Sequence, residues 1–199
     1  MDRSYYTRPV CNWVYHPVSG RIEIAIRRPA GYQARIRYII SILLIMNKRY
    51  VAVVSFFTFV LPLAGAFGAH AFSHAIFSFG LFGKWFIFSA VGCRLFVAGI
   101  HQTIKPGFTS KTIFGIHDPQ SLPIVRELGF ANLCFGLVAL VSFCIREWRI
   151  VSAFASGLYY GLAAGQHLIK RSAGANETFA LWTDAIIFGV LATYCLVMW

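Results

Sequence analysis

From residue 51 to residue 199 the chain alternates long apolar runs with short polar links. Val51–Ala69, Leu128–Ile145 and Ile150–Ile169 hold no Asp, Glu, Lys or Arg. Trp85–Ile104 holds Arg94 alone, and Thr178–Trp199 holds Asp184 alone. A helix needs roughly 20 apolar residues to cross a hydrocarbon core of ~30 Å. Inside lipid each backbone N–H and C=O must be satisfied within the segment, so such runs become helices. The pattern predicts an all-α, polytopic membrane bundle of about five transmembrane helices. The partner it implies first is the lipid bilayer.

The first helix, about 50–70, contains Pro62, Gly65 and Gly68, and a kink is expected there. The loop Thr103–Pro123 carries the breakers Pro106-Gly107, Asp118-Pro119 and Pro123. Its Phe108, Ile113, Phe114 and Ile116 are too apolar for a free loop. It is expected to lie on the inner membrane surface or to dip back into the bundle. A short link, Arg146–Arg149, makes the third and fourth helices antiparallel neighbours. Asn176 is the expected N-cap of the last helix, with Glu177 suited to its dipole.

Composition sharpens the class. The chain is 58% hydrophobic and 13% charged, against ~45–50% and ~25% in soluble domains. Its net charge of +11 reads as membrane topology rather than nucleic-acid binding. With the N-terminus in the cytoplasm, fourteen Lys and Arg fall inside: nine in residues 1–49, then Lys105, Lys111, Arg126, Lys170 and Arg171. Only Lys84, Arg146 and Arg149 fall outside. Positive loops stay cytoplasmic, so the N-terminus is expected inside and the C-terminus outside. Trp85, Trp148 and Trp199 then lie at the outer interface. The five cysteines have no CxxC spacing and read as small buried hydrophobes.

Residues 1–45 differ from the rest. They hold seven Arg and no Lys, with Pro9, Pro17 and Pro29. Two units are expected: 1–45, a basic N-terminal extension, and 46–199, the helical bundle. Met46-Asn47-Lys48-Arg49 leads straight into the first apolar run, so Met46 is a natural start and 1–45 reads as an upstream extension. A basic arm on anionic lipid and an Arg-rich transit segment are the rival readings.

Charged groups within the membrane are costly and point to function. Arg94 and Asp184 lie within apolar runs. Arg126 and Glu127 open the third helix, and Asn132 lies about 1.5 turns deeper. All fall in the cytoplasmic half of the expected topology. Arg94 is expected to pair with Asp184, Glu127 or both. The five residues form either an ion network that fixes helix register or a binding or proton site. Gly157, Gly161 and Gly165 form a doubled small-xxx-small stripe for helix packing, within the bundle or between subunits. His101, His117 and His167 map to the cytoplasmic face. His70 and His74 have i, i+4 spacing. Histidines from different helices can ligate haem, but no catalytic or metal motif is present, and neither a metal site nor a cofactor is predicted.

The residues Trp85-Phe86, Gly92, Arg94-Leu95, Ala98-Gly99-Ile100 and Ile113-Phe114-Gly115 lead to Val125-Arg126-Glu127-Leu128-Gly129-Phe130-Ala131-Asn132 and Gly136. Over about 80–195 this resembles a family of uncharacterised bacterial multi-pass membrane proteins, distantly similar to the DoxX-like four-helix proteins. The resemblance implies a four-helix core preceded by one added N-terminal helix, in the bacterial inner membrane. It matches Arg94 and Glu127 to an Arg and a Glu that recur in that group. Some DoxX relatives are linked to thiol or quinone redox systems, and this chain has no CxxC. Three functions stay open. The first is a small-solute carrier or membrane-complex subunit with a polar pocket in the cytoplasmic half. The others are a redox-associated protein with haem or quinone, and a structural subunit. No enzymatic activity and no nucleic-acid partner are predicted; a homo-oligomer or a membrane-complex partner is compatible with the stripe.

Overall fold

The computed structural model describes residues 11–16, 21–26, 47–170 and 174–198. The chain divides into two compact units, Met1–Ile45 and Met46–Trp199. In the first, β1 (Cys11–His16) pairs antiparallel with β2 (Arg21–Ile26), Cys11 opposite Ile26 and His16 opposite Arg21. Alternation of Ile22, Ile24 and Ile26 with Arg21, Glu23 and Ala25 has the two-residue period of a strand.

The described residues of the second unit form helices joined by short links. α1 is Lys48–Ser73 and α2 is Phe79–Ile104. A short helix α3 covers 106–113, followed by α4 (Ser121–Val141), α5 (Trp148–Ile169) and α6 (Ala175–Met198). Four of these, α1, α2, α4 and α6, are long and apolar enough to cross a membrane. The expected fourth span, α5, has the length at 22 residues. Its Ser152, Ser156, Tyr159, Tyr160, Gln166 and three glycines dilute its hydropathy.

Local chemistry sets the ends. Asn47 caps α1, its side chain accepting from the Tyr50 N–H at 3.1 Å. Pro62 has no N–H to give to the preceding turn, and a π-helical turn, Phe56–Val60, precedes it. α1 ends at Ser73, with His74 in the left-handed conformation at φ 51°. His70 and His74 therefore do not share a helix face. Asn176 lies inside α6 rather than capping it. Its side chain accepts from the Asn47 N–H at 3.0 Å and donates to the Thr112 carbonyl at 3.4 Å. After α4, Arg149 donates to the carbonyls of Ser142 and Phe143 at 3.0 and 3.3 Å. A cation thus closes the helix end, where the dipole is negative. The loop after α2 folds back onto the bundle, with Thr109, Ser110 and Ile113 of α3 buried.

Two helix pairs dominate the packing, α2 with α4 and α5 with α6. The first pair meets backbone to backbone. A Cβ on Gly99 would lie 2.7 Å from the Gly129 carbonyl oxygen, and one on Gly136 would lie 2.6 Å from the Phe96 nitrogen. Gly92 and Gly99 on one helix, and Gly129 and Gly136 on the other, are each seven residues apart and form this seam. Of the expected stripe on α5, Gly157 faces Leu191 at 3.4 Å and Gly161 the Phe188 ring at 2.9 Å, both on α6. Nothing lies within 4 Å of a Cβ on Gly165. Large apolar side chains such as Phe72, Ile169 and Leu196 are exposed, each above 80%, as lipid contact would allow.

Gly136→Ala should therefore cost ~1–3 kcal/mol of stability through overpacking. Gly165→Ala should be neutral or stabilising, since Ala is the better helix former by ~1 kcal/mol. Thermal unfolding in detergent checks this; equal melting of the two variants would contradict the seam.

Candidate functional site

Arg94 lies ten residues before the end of α2, about 15 Å in along the helix axis. It follows a π-helical stretch, Ile87–Cys93. Such stretches break the regular i→i−4 register and recur at functional sites. Neighbouring helices use carbonyls in the two π-helical stretches. Tyr160 donates to Ala90 at 3.0 Å, and Ser89 donates to Phe57 of α1 at 2.6 Å.

Arg94 reaches α6, where its Nη2 donates to Asp184 Oδ1 at 2.8 Å and to Thr183 Oγ1 at 3.2 Å. Its guanidinium carbon lies 5.2 Å from the Tyr160 ring centroid on α5, within cation–π range. Tyr50 of α1 is within electrostatic reach of both charges. Arg94 is 9% exposed and Asp184 7%. One buried guanidinium thus ties α2, α5 and α6. Its buried Nη1 makes no well-formed hydrogen bond, while Tyr50 of α1 lies within hydrogen-bonding reach of the guanidinium.

A neutral network lies beside this centre. Asn132 of α4 donates to Gln102 Oε1 of α2 at 2.6 Å, and Tyr159 of α5 donates to Asn132 Oδ1 at 2.6 Å. Tyr159 also stacks on Phe135 at 5.1 Å. Adjacent tyrosines on α5 therefore serve different groups, Tyr160 the ion pair and Tyr159 the amide pair. A third cluster closes one end of the bundle. Glu177, 4% exposed, meets His167 at 3.3 Å and Lys170 at 3.2 Å. Lys170 also donates to the Phe114 carbonyl at 3.2 Å.

The residues singled out from sequence separate accordingly. Arg94 and Asp184 meet, and Asn132 lies in the neighbouring network. Glu127 is exposed and makes no ion pair with Arg94. Arg126 is exposed and donates to the Thr103 carbonyl at 3.3 Å. His101 packs against Phe108 at 5.0 Å and lines a shallow surface groove with Val97, Ile100, Ile104 and Lys105. His117 is exposed, and His167 joins Glu177. Among the described residues no three His, Cys, Asp or Glu gather as a metal set.

Sequence reasoning did not find Tyr160, Thr183, Tyr159, Gln102 or the Glu177 cluster. Tyr159-Tyr160 is the one Tyr-Tyr pair inside an apolar run, a signal that was there to read. The misplacement of Glu127 was also legible. The buried stripe of α4 is Val125, Gly129, Asn132, Gly136 and Ala139. Glu127 lies two residues from Val125, about 200° around the helix.

The fold is a helical bundle with four helices long and apolar enough to cross a membrane, and its centre is an Arg94–Asp184 ion pair buried between α2 and α6 beside the Tyr160 ring of α5. The chain belongs to DUF6790, a family of unknown function, which matches residues 52–199. No curated protein and no solved structure matches it.

Arg94→Leu should destabilise by ~3–5 kcal/mol, because Asp184 is left as a lone buried charge. Adding Asp184→Leu should recover part of that loss. Glu127→Leu, paired with Arg94→Leu in the same way, should be additive, as expected for sites that do not interact. A double-mutant cycle on thermal stability in detergent decides; coupling to Glu127 but not to Asp184 would refute the assignment.

Proposed function

We propose that this is a five-span membrane protein that binds a small hydrogen-bond-accepting solute at Arg94. The observation that carries the reading is the buried Nη1, which makes no well-formed hydrogen bond although Tyr50 lies within reach of the guanidinium. Leaving a buried charged donor unmet is expensive, and the group is held ready for an acceptor by the bonds that fix Nη2.

The reading of five spans is supported by the ends that α5 joins. Asn176 bonds Asn47 and Thr112, Lys170 bonds Phe114 and Glu177, and the two sets mark one end of the bundle. Lys84 lies over the Phe143 ring at 4.1 Å, and a Cβ on Gly80 would lie 3.4 Å from Met198, which marks the other end. α5 starts just after Phe143 and finishes at Lys170, so it runs the full length. Lys48, Arg49, Lys105, Lys111, Arg126 and Lys170 belong to the first end, against Lys84, Arg146 and Arg149 at the second. The positive end is cytoplasmic by the usual bias, in an inner membrane, with the N-terminus inside. In this reading α2, α4, α5 and α6 are the DoxX-like core and α1 is the addition. Residues 1–45 are an extension that the bundle does not need.

Two measurements test the reading. A C-terminal phosphatase–GFP reporter pair should give active phosphatase and dark GFP; bright GFP without phosphatase would contradict five spans. In detergent, formate, chloride or acetamide should raise the melting temperature of the wild-type chain, since a ligand specific to the native state stabilises it by mass action. The rise should vanish in Arg94→Lys. No rise with any of the three would end the binding reading.

A further inference from the structure

The last turns of α2 carry a feature outside the Arg94 network: the groove lined by Val97, Ile100, His101, Ile104 and Lys105. We propose that this groove binds one anionic phospholipid, with an acyl chain along its aliphatic floor and the phosphate at Lys105. The site goes beyond the solute-binding reading and stands without it. It needs only that α2 crosses a membrane, for which its length and hydropathy suffice.

Val97, Ile100, His101 and Ile104 have the i, i+3, i+4, i+7 spacing of one helix face, and Lys105 lies one turn beyond His101. Val97, Ile100 and Ile104 are exposed and together span about 10 Å of the helix axis. α2 ends at Ile104. Lys105 leaves helical geometry at φ −129° and ψ 62°, and Pro106 has no N–H with which to continue the ladder. The chain turns back into α3, and Phe108 comes edge-on against the His101 ring at 5.0 Å. α3 therefore walls the basic end of the stripe, which turns a plain helix face into a groove with a closed end.

Polarity along the groove runs in the order of a phospholipid. Its deep part is aliphatic, at Val97 and Ile100. Its end, where α2 meets the interface, carries the Lys105 ammonium and the His101 ring. The cations at this end of the bundle differ in what they already hold. Lys170 is taken up by Glu177 and the Phe114 carbonyl, and Arg126 by the Thr103 carbonyl. Among the described residues, neither Lys105 nor His101 spends its side chain on a hydrogen bond or an ion pair. An ammonium offers three donors, and a lysine stem lies along apolar surface while its head reaches the interface. A phosphate accepts from such a group. An anionic headgroup suits it better than a choline headgroup, whose own cation opposes Lys105. A second copy of the chain packed here about an axis along the membrane normal would bring the same patch to itself, and so set Lys105 towards Lys105.

The full chain, purified in neutral detergent, is titrated with phosphatidylglycerol, with phosphatidylcholine, and with glycerol phosphate as a headgroup that has no chains. Native mass spectrometry counts the lipids retained, and melting temperature reports binding in parallel. One phosphatidylglycerol should be retained in preference to phosphatidylcholine by about fivefold, the factor that one cation near a lipid surface contributes. Lys105→Gln should remove that preference. Ile100→Ser should weaken retention of both lipids. Lys111 is exposed at the same end but does not line the groove, so Lys111→Gln should leave the preference intact. All three positions are exposed, and the variants should fold as the wild type does. Equal retention of the two lipids overturns the site. Equal losses in Lys105→Gln and Lys111→Gln overturn it too, since they mark a diffuse attraction to the whole basic end. Stabilisation by glycerol phosphate equal to that by the lipid would remove the acyl chain from the account. A smaller oligomer in Ile100→Ser would give the face to a second copy of the chain instead.

Discussion

A guanidinium at mid-depth in an apolar bundle is the constraint from which the rest of the architecture follows. It cannot deprotonate at any ordinary pH, so its partners must come to it. Asp184 and Thr183 on α6, and the ring of Tyr160 on α5, are those partners. Meeting them fixes the rotation of three helices about their axes at once. The π-helical stretch before Arg94 shifts the register of α2 there. The same stretch offers its Ala90 carbonyl to Tyr160, which holds the aromatic wall in place.

The seam between α2 and α4 complements this polar centre. Its helices touch through Gly92, Gly99, Gly129 and Gly136, so backbone contact replaces side-chain packing. In lipid there is little hydrophobic drive between helices, and close approach of small residues supplies the attraction. The amide pair Asn132–Gln102 sits along this seam and gives it a fixed register. α5, the least apolar of the long helices, spends its polarity on Tyr159, Tyr160 and His167, each with a partner on another helix or ring.

Much of this was legible in the chain. Apolar runs mark the long helices because lipid leaves few other structures available. Arg94 and Asp184 stand out because each is the lone charge in its run. The glycine seam was not legible, since it depends on which two helices pair, and seventeen glycines offer many rival stripes. Glu127 misled because depth along the helix does not fix the face, and it lies about 200° around α4 from the buried Val125. The His70–His74 spacing misled because the helix stops between them, at Ser73. The strand pair β1–β2 escaped notice because the two-residue alternation of Arg21–Ile26 is far shorter than a membrane-length run.

The pair at the centre can be measured directly in a bilayer. Solid-state NMR on the lipid-reconstituted chain, with ¹⁵N-labelled arginine and ¹³C-labelled aspartate carboxyls, reads the dipolar coupling between the Arg94 guanidinium and the Asp184 carboxyl. The account predicts strong dephasing, as expected for a hydrogen bond of 2.8 Å between nitrogen and oxygen. It predicts two inequivalent Nη signals, one bonded to the carboxylate and one not. Absent dephasing at Asp184 would contradict the account, as would two equivalent Nη signals.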